Sequence, residues 1–345
     1  MPGKVLTRRA INEQRLTFSS MPTSDRLELD LRPATLDDVG IVADLEATRD
    51  PEDPRDPEML RFWWTRGSVN EVYTRLVSVR QGEAVAFVGA GHERWEDTPK
   101  RFGWIHPVIH RDLWSEAGYS DLVSTSEAWL RSESAATAVA RVRDDRKNEL
   151  EILDRIGYQE VRRQKCSELD LGAAHDGLLA GAERCRRRMR DEGVSLLTLS
   201  EDTDPERLNK LYEVCIEVEQ DIPTTVPWRT MPFDEWKPMW FGDPGIREDR
   251  FWIAREGDAV VGLSVIGFPP TRGLPWTWLT GTSRAVRGRG IARALKYETM
   301  AQAIELGYQR VRTNNDGANA PILHINQEMG YRLVAPLIEL HRELE

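Results

Sequence analysis

The sequence predicts an α/β (α+β) chain made of two copies of one domain, and three observations carry that expectation. The length of 345 residues suits two domains of about 170 residues better than a single core. Short pieces recur in the same order at offsets of roughly 168–175 residues, close to half the chain. Each series mixes alternating apolar strand patterns with helical spacing, as a sheet flanked by helices requires.

Taken in order, residues 1–26 lack the apolar run of a secretory signal and read as a flexible arm. The strand pattern Leu29-Asp30-Leu31-Arg32-Pro33 resembles Leu197-Thr198-Leu199. Helix-start signals follow each: Thr35 with Asp38, and Thr203 with Glu206, with Pro205 in the expected first turn. The helices carry apolar residues at helical spacing, Leu36, Val39, Val42 and Leu45 against Leu208, Leu211, Cys215 and Val218. Hairpins follow, with Arg80-Gln81-Gly82-Glu83 matching Arg255-Glu256-Gly257-Asp258. Trp104 then pairs with Trp276, and Gly157-Tyr158 with Gly330-Tyr331. The boundaries are drawn at 27–172 and 194–345, with a linker helix at 173–193 ending on Gly193 in C-cap position. Its Arg184, Arg186, Arg187, Arg188 and Arg190 read as a solvated face balanced by Glu183, Asp191 and Glu192; the sharper alternative is a phosphate or RNA contact.

Composition narrows the function classes. With 47 basic and 57 acidic residues the net charge is −10, which disfavours nucleic acid as a partner. No apolar run approaches a membrane span. The three cysteines, Cys166, Cys185 and Cys215, lack metal-ligand spacing and read as reduced thiols of a cytoplasmic protein that holds no metal.

The chemistry concentrates in Trp276-Thr277-Trp278-Leu279-Thr280-Gly281-Thr282, a short turn, and Arg287-Gly288-Arg289-Gly290-Ile291-Ala292-Arg293-Ala294-Leu295-Lys296. This reads as strand, glycine turn and a helix running to about Leu306. Two glycines at a strand-to-helix turn let backbone N–H groups converge on an anion such as a pyrophosphate. A dinucleotide fingerprint wants Gly or Ala where Arg293 stands, and a P-loop wants Gly-Lys-Ser/Thr, which is absent.

Arg287-x-x-Gly290-x-Ala292 resembles the Q/R-x-x-G-x-G/A signature of the GNAT N-acetyltransferase superfamily. The strand Arg310-Val311-Arg312-Thr313-Asn314, then Asn319, then Asn326-Gln327-Glu328-Met329-Gly330-Tyr331 follow at that family's spacing. The resemblance covers about 150 residues of the second half well and, through the duplication, the first half in outline. It implies two tandem GNAT-like domains, each a mixed, mostly antiparallel sheet flanked by helices. It further implies acetyl-CoA as co-substrate, with Thr280, Gly281 and Thr282 along the pantetheine arm. Gly288, Arg289, Gly290, Ile291, Ala292 and Arg293 would then cradle the pyrophosphate, with Arg287 adding charge, and Asn319 would contact the cofactor arm. Asn319 reads equally well as an N-cap before Pro321.

The implied reaction is acetyl transfer to an amine, from a small molecule or a peptide. The family's carboxylate and tyrosine positions hold Asn314 and Asn326, neither of which exchanges a proton at neutral pH. Candidate bases are therefore Asp316, just beyond the strand, and Glu219 or Asp221 after the first helix of the second copy. Asn326 stays a candidate through its position, and His324 is a further proton carrier or a surface residue. Tyr331 reads as a packing residue. The aromatic stretch from Pro227-Trp228-Arg229 to Trp236 and Trp240 reads as a substrate wall or as a packed helix. In the first copy, setting Gly118 on Gly290 places Ser115 at Arg287, Glu116 at Gly288 and Ser120 at Ala292. A glutamate in the cradle opposes anions, so the first copy is expected to bind acetyl-CoA poorly, and Phe62-Trp63-Trp64 and Trp114 become core or inter-domain contacts.

The expectation is thus an acetyl-CoA-dependent N-acetyltransferase, monomeric or homodimeric, with chemistry in the second copy. The alternative is a non-catalytic acyl-CoA-binding regulatory module. A transferase using charged tRNA is a second rival, which the acidic balance disfavours.

Overall fold

Two series of elements follow one another in the same order, joined by one long helix. The computed structural model describes residues 29–66, 71–98, 100–226 and 229–344; the arm at 1–26 lies outside them. The first series is β1 (Arg32–Pro33), α1 (Val39–Arg49), α2 (Pro57–Arg66), β2 (Glu71–Arg80), β3 (Glu83–Glu93), β4 (Phe102–Ile109), α3 (Glu116–Ser132), β5 (Thr137–Arg143), α4 (Lys147–Arg155) and β6 (Gln159–Asp170). Helix α5 (Leu171–Asp191) leads to β7 (Val194–Thr198), α6 (Arg207–Gln220), α7 (Phe233–Phe241), β8 (Phe251–Glu256), β9 (Ala259–Gly267) and β10 (Trp276–Thr282). The chain closes with α8 (Ile291–Glu305), β11 (Arg310–Asp316), α9 (Ala320–Met329), β12 (Arg332–Leu333) and β13 (Leu337–Glu343). The repeated order is the structural form of the internal sequence matches. No helix among the described residues is long and apolar enough to cross a membrane.

The strands form one sheet in the order β1-β2-β3-β4-β5-β13-β6-β11-β10-β9-β8-β7, with β12 paired to β6. Among the described residues only β4–β5 and β10–β11 pair in parallel. The sheet is therefore mixed and mostly antiparallel, flanked by helices, as the sequence predicts. Its centre carries a feature that the sequence reading did not anticipate. Strand β6 leaves the first series and pairs with β11 from Arg310↔Asp170 to Asp316↔Gln164. Strand β13 returns from the end of the chain and inserts between β5 and β6, with Leu337 opposite both Arg143 and Gln164. The two halves thus exchange their terminal strands. The inserted strand is held by its apolar face, because Ile338 and Leu340 are buried in the core of the first half.

Local chemistry explains the element ends. Thr35 and Asp38 form a complete capping box ahead of α1. The corresponding signal at Thr203 does not cap α6, which starts later, at Arg207, without a side-chain cap bond from its N-cap Glu206. Instead Asp202 and Asp204 accept the backbone N–H groups of Asp204 and Glu206, and Arg255 binds both carboxylates. The hairpins are also one residue out of step with their sequence match, since Arg80 pairs with Glu83 but Glu256 pairs with Ala259. Helix α5 begins at Leu171, two residues before the expected start, and Asp170 caps it through Ala173 N–H. Gly193 follows its end at φ 75°, as a C-cap glycine should.

Candidate active site

The second series opens a wedge in its sheet. Strands β10 and β11 pair at only two positions, Trp276↔Arg312 and Thr277↔Thr313. A bulge between Thr277 and Leu279 then turns β10 away while it stays paired to β9 as far as Thr282. Leu279 to Thr282 therefore present an edge that β11 does not fill, suited to an extended ligand that adds backbone hydrogen bonds. Gly281 is required at this edge, because a Cβ there would collide with Val218 of α6.

On the α6/α7 face of the wedge lies a cavity of about 400 Å³, lined by Glu219, Ile222, Trp240, Trp276, Trp278 and Asn314, among others. Glu219 has no ion-pair partner among the described residues, and burial pushes its carboxyl up to about 7. The other two candidate carboxylates are occupied. Asp221 is exposed, accepts two hydrogen bonds from Arg284 at 3.0 and 2.7 Å and another from Arg287, and these pull it down to about 2. Asp316 is lowered first by the Ala318 N–H and then by Arg162, each at 2.8 Å. A base must be able to hold a proton near neutral pH, so the geometry retains Glu219 and sets Asp221 and Asp316 aside.

The aromatic stretch divides by residue. Trp236 is 1 % exposed and belongs to the core, whereas Trp240 lines the cavity and stands 6.2 Å from Trp278. Pro227 and Trp228 lie outside the described residues.

At the other end of the wedge, Gly288 and Gly290 adopt φ 79° and 84°, the left-handed region that glycine enters freely. Gly290 is the N-cap of α8, so the first N–H groups of that helix point outward over an open surface. A Cβ at Gly288 would meet nothing within 4 Å, whereas one at Gly290 would stand 3.3 Å from Nη1 of Arg188. The three predicted arginines each hold a carboxylate: Arg287 with Asp221, Arg289 with Glu256 at 2.9 Å, and Arg293 with Glu328 at 2.9 Å. The linker helix is mostly the ion-paired, solvated face that its composition suggests, with Arg187 on Glu183 and Arg188 on Glu192. Of the five arginines for which a phosphate contact is the sharper alternative, Arg188 brings its guanidinium to the glycine turn.

Residues 206–331 match the acetyltransferase (GNAT) family model. The second half carries a GNAT domain. The chain also resembles solved structures along nearly its whole length. One is a GCN5-related N-acetyltransferase from Sphaerobacter thermophilus, with 19 % identity, TM-score 0.62, and coverage of 91 % of this chain and 95 % of that one. Another is a tandem GNAT protein from the clavulanic acid biosynthesis pathway, with 16 % identity, TM-score 0.69, and coverage of 92 % and 99 %. FemX aligns at 12 % identity and TM-score 0.58 over 92 % and 98 %. At these identities the likeness concerns fold, and it identifies the fold as two GNAT-like domains in tandem. No curated protein matches the sequence.

The first GNAT-like domain lacks the cradle in a way that differs from the sequence alignment. Four residues, Arg287 to Gly290, separate the short 3-10 turn from α8, but only Trp114 and Ser115 separate the equivalent turn from α3. The loop is shortened, so Ser115 and not Gly118 stands at the place of Gly290, and its hydroxyl caps the helix through Gly118 N–H at 3.1 Å. Glu116 lies in the helix itself and pairs with Arg155. The first wedge is also filled. Its parallel pairing ends at Ile105↔Ala140, and just beyond it Arg49 donates to the Pro107 carbonyl at 3.2 Å and to both oxygens of Glu149. Trp64 and Phe62 are core residues as expected, while Trp63 reaches across to Trp278 at 6.2 Å.

The remaining predicted residues fall into place around the GNAT domain. Asn319 caps α9 through Ile322 N–H at 3.5 Å. His324 is 64 % exposed at its side chain and pairs with Glu328. Tyr331 packs, with its hydroxyl on the Met300 sulfur at 3.5 Å. Asn326 is buried, donates to Asn315 at 2.8 Å and accepts from Lys296 at 2.6 Å. Lys296 carried no role in the sequence reading. Only the tertiary structure shows that it is enclosed, with Asn326 of α9 and the Tyr331 ring against its ammonium.

Proposed function

We propose that the GNAT domain transfers an acetyl group from acetyl-CoA to an amine bound in the cavity beside Glu219. The observation that supports this most is the continuity of three parts: the glycine turn, the unpaired β10 edge and the cavity with its one raised carboxylate. The open space at Gly288, the positive-φ backbone and Arg188 suit a pyrophosphate, and the wedge suits a pantetheine arm. Acetyl-CoA supplies the activated acyl group. Gly288 to Arg293 bind its phosphates, Thr280 to Thr282 hold the arm by backbone pairing, and a β10 N–H polarises the carbonyl oxygen. Glu219 takes the proton of the amine. Trp240, Trp276 and Trp278 make the acceptor pocket largely apolar, which favours an amine carried on an apolar or aromatic group.

Acetyl-CoA turnover across a panel of amines, amino acids and peptide N-termini, read as free thiol, tests this reading. Thiol release with at least one amine is expected, while acetyl-CoA binding with no release in any case would instead support the regulatory module. Replacing Arg188 with alanine should weaken acetyl-CoA binding about fivefold, as an exposed charge worth about 1 kcal/mol would. Binding of S-acetylpantetheine, which lacks the phosphates, should not change. Equal loss for both ligands would remove Arg188 from the phosphate site.

A further inference from the structure

Lys296 is 0 % exposed and is the only lysine among the largest fully buried side chains. Among the described residues no carboxylate pairs with it. Its ammonium donates to Asn326 Oδ1 at 2.6 Å and stands 4.7 Å from the centre of the Tyr331 ring. The nearby carboxylates Glu298 of α8 and Glu328 of α9 are taken by other partners, Glu298 by Arg186 of α5 and Glu328 by Arg293 and His324. An unpaired buried ammonium is costly to a fold and is retained where it does something else.

Its position indicates what that is. Residues alternate across β11, so Asn314 faces the cavity with Glu219 while Thr313 and Asn315 face α8 and α9. Asn326 binds Asn315, two residues past the last β10–β11 pair, and Tyr331 lies with its hydroxyl beside Thr277, the last residue of β10 paired to β11. The Lys296 ammonium therefore sits at the apex of the wedge on the helix face, opposite Glu219. Resting on the proposed acetyl transfer, we infer that Lys296 is the charged group on the thiol side, stabilising the departing thiolate and giving it a proton. The amine nitrogen bonds to the acetyl carbon, the carbon–sulfur bond breaks, and its electron pair leaves on sulfur. The amine proton goes to Glu219, and sulfur takes one from the ammonium. Glu219 then releases its proton to solvent and Lys296 regains one before the next turnover, which closes the proton balance. Burial lowers the lysine to about 7, so both forms are accessible in a neutral solution.

The test reads the thiol of bound CoA, without turnover, by thiolate absorbance in a pH titration of the full chain. The expected result is a bound thiol that ionises at least about one pH unit below free CoA, whose thiol resembles a free one near 8.5. In K296M that shift should vanish while acetyl-CoA still binds. K296R, which keeps the charge, should retain part of it. Replacing an unpaired buried ammonium with an apolar chain of similar length should leave the melting temperature unchanged or raise it, so folding does not confound the reading. A K296M titration identical to wild type would overturn the assignment and leave Lys296 structural. Absence of CoA and acetyl-CoA binding in wild type would instead overturn the acetyl-transfer reading on which it rests.

Discussion

Glu219→Gln lowers acetyl transfer by about 10²–10⁴-fold, the usual contribution of a positioned base. The amide keeps the size and pocket of the carboxyl but cannot accept a proton, so acetyl-CoA affinity stays at the wild-type value. The pH profile separates this from a packing effect. As the proposed base, Glu219 would work only when ionised, so wild-type kcat/KM should climb as pH rises through about 7, to which burial raises that carboxyl. As the inferred acid, Lys296 would work only when protonated and supply the falling limb from its own value of about 7. The variant loses the rising limb and keeps the falling one. Stability moves in a linked direction. The unfolded Glu219 ionises near 4.3 while the folded one holds its proton until about 7, so wild type loses stability across that window. Glu219→Gln escapes the loss and melts higher than wild type at pH 8, with no difference at pH 4. An unchanged rising limb would assign the base elsewhere.

Deletion of residues 337–345 destroys the fold of both halves, although it removes only the final strand. The strand β13 occupies the interior of the sheet, with β5 on one side and β6 on the other. Ile338 and Leu340 alone contribute about 1.5–3 kcal/mol each by burial, against about 5–15 kcal/mol for a whole domain. The two ladders and the buried Glu339, which binds Arg141 and His341, are lost with them. The same reasoning applies to residues 194–345 expressed alone, which lack β6 as partner to β11. Thermal melts and solubility check both. A cooperative melt at the wild-type temperature in either truncation would show that the exchange is dispensable.

The first domain also has a task that its filled wedge does not supply. Asp53 accepts the Leu274 N–H at 2.8 Å and the Trp276 indole N–H at 2.7 Å, and Asp56 accepts the Thr271 N–H at 2.7 Å. These contacts anchor the start of β10, and with it one wall of the cavity. Gln164 on the donated β6 receives the Asn314 amide at 3.1 Å. The cavity proposed for the acceptor is therefore lined by one domain and braced by the other.

Much of this was legible in the sequence, for physical reasons that also mark where legibility ends. A duplication leaves many correlated marks, so strand, helix and hairpin order could be read from pieces such as the Gly-Tyr pairs at 157 and 330. The cradle was legible because left-handed backbone demands glycine at Gly288 and Gly290. The strand exchange was not, because β6 and β13 have the alternation of any half-buried strand and nothing in that pattern names a partner. Glu219, Asp221 and Asp316 looked alike as loop or near-loop carboxylates. Tertiary contacts separated them, by pairing Asp221 with Arg284 and Asp316 with Arg162 and by leaving Glu219 in an apolar pocket. Lys296 was hidden for the same reason, since a lysine on a helix is normally solvated and only tertiary packing, with Asn326 and Tyr331 against its ammonium, buries this one. The two residues missing from the first cradle were masked by Gly118, which invited an alignment three residues away from the true N-cap at Ser115.

The chain is double in fold and, as proposed, single in chemistry, and calorimetric titration with acetyl-CoA tests that most directly. One site per chain is predicted, and Gly290→Glu should abolish it while the melt stays cooperative, because the new carboxylate faces the phosphates. Two sites per chain, or one site that survives Gly290→Glu, would contradict it.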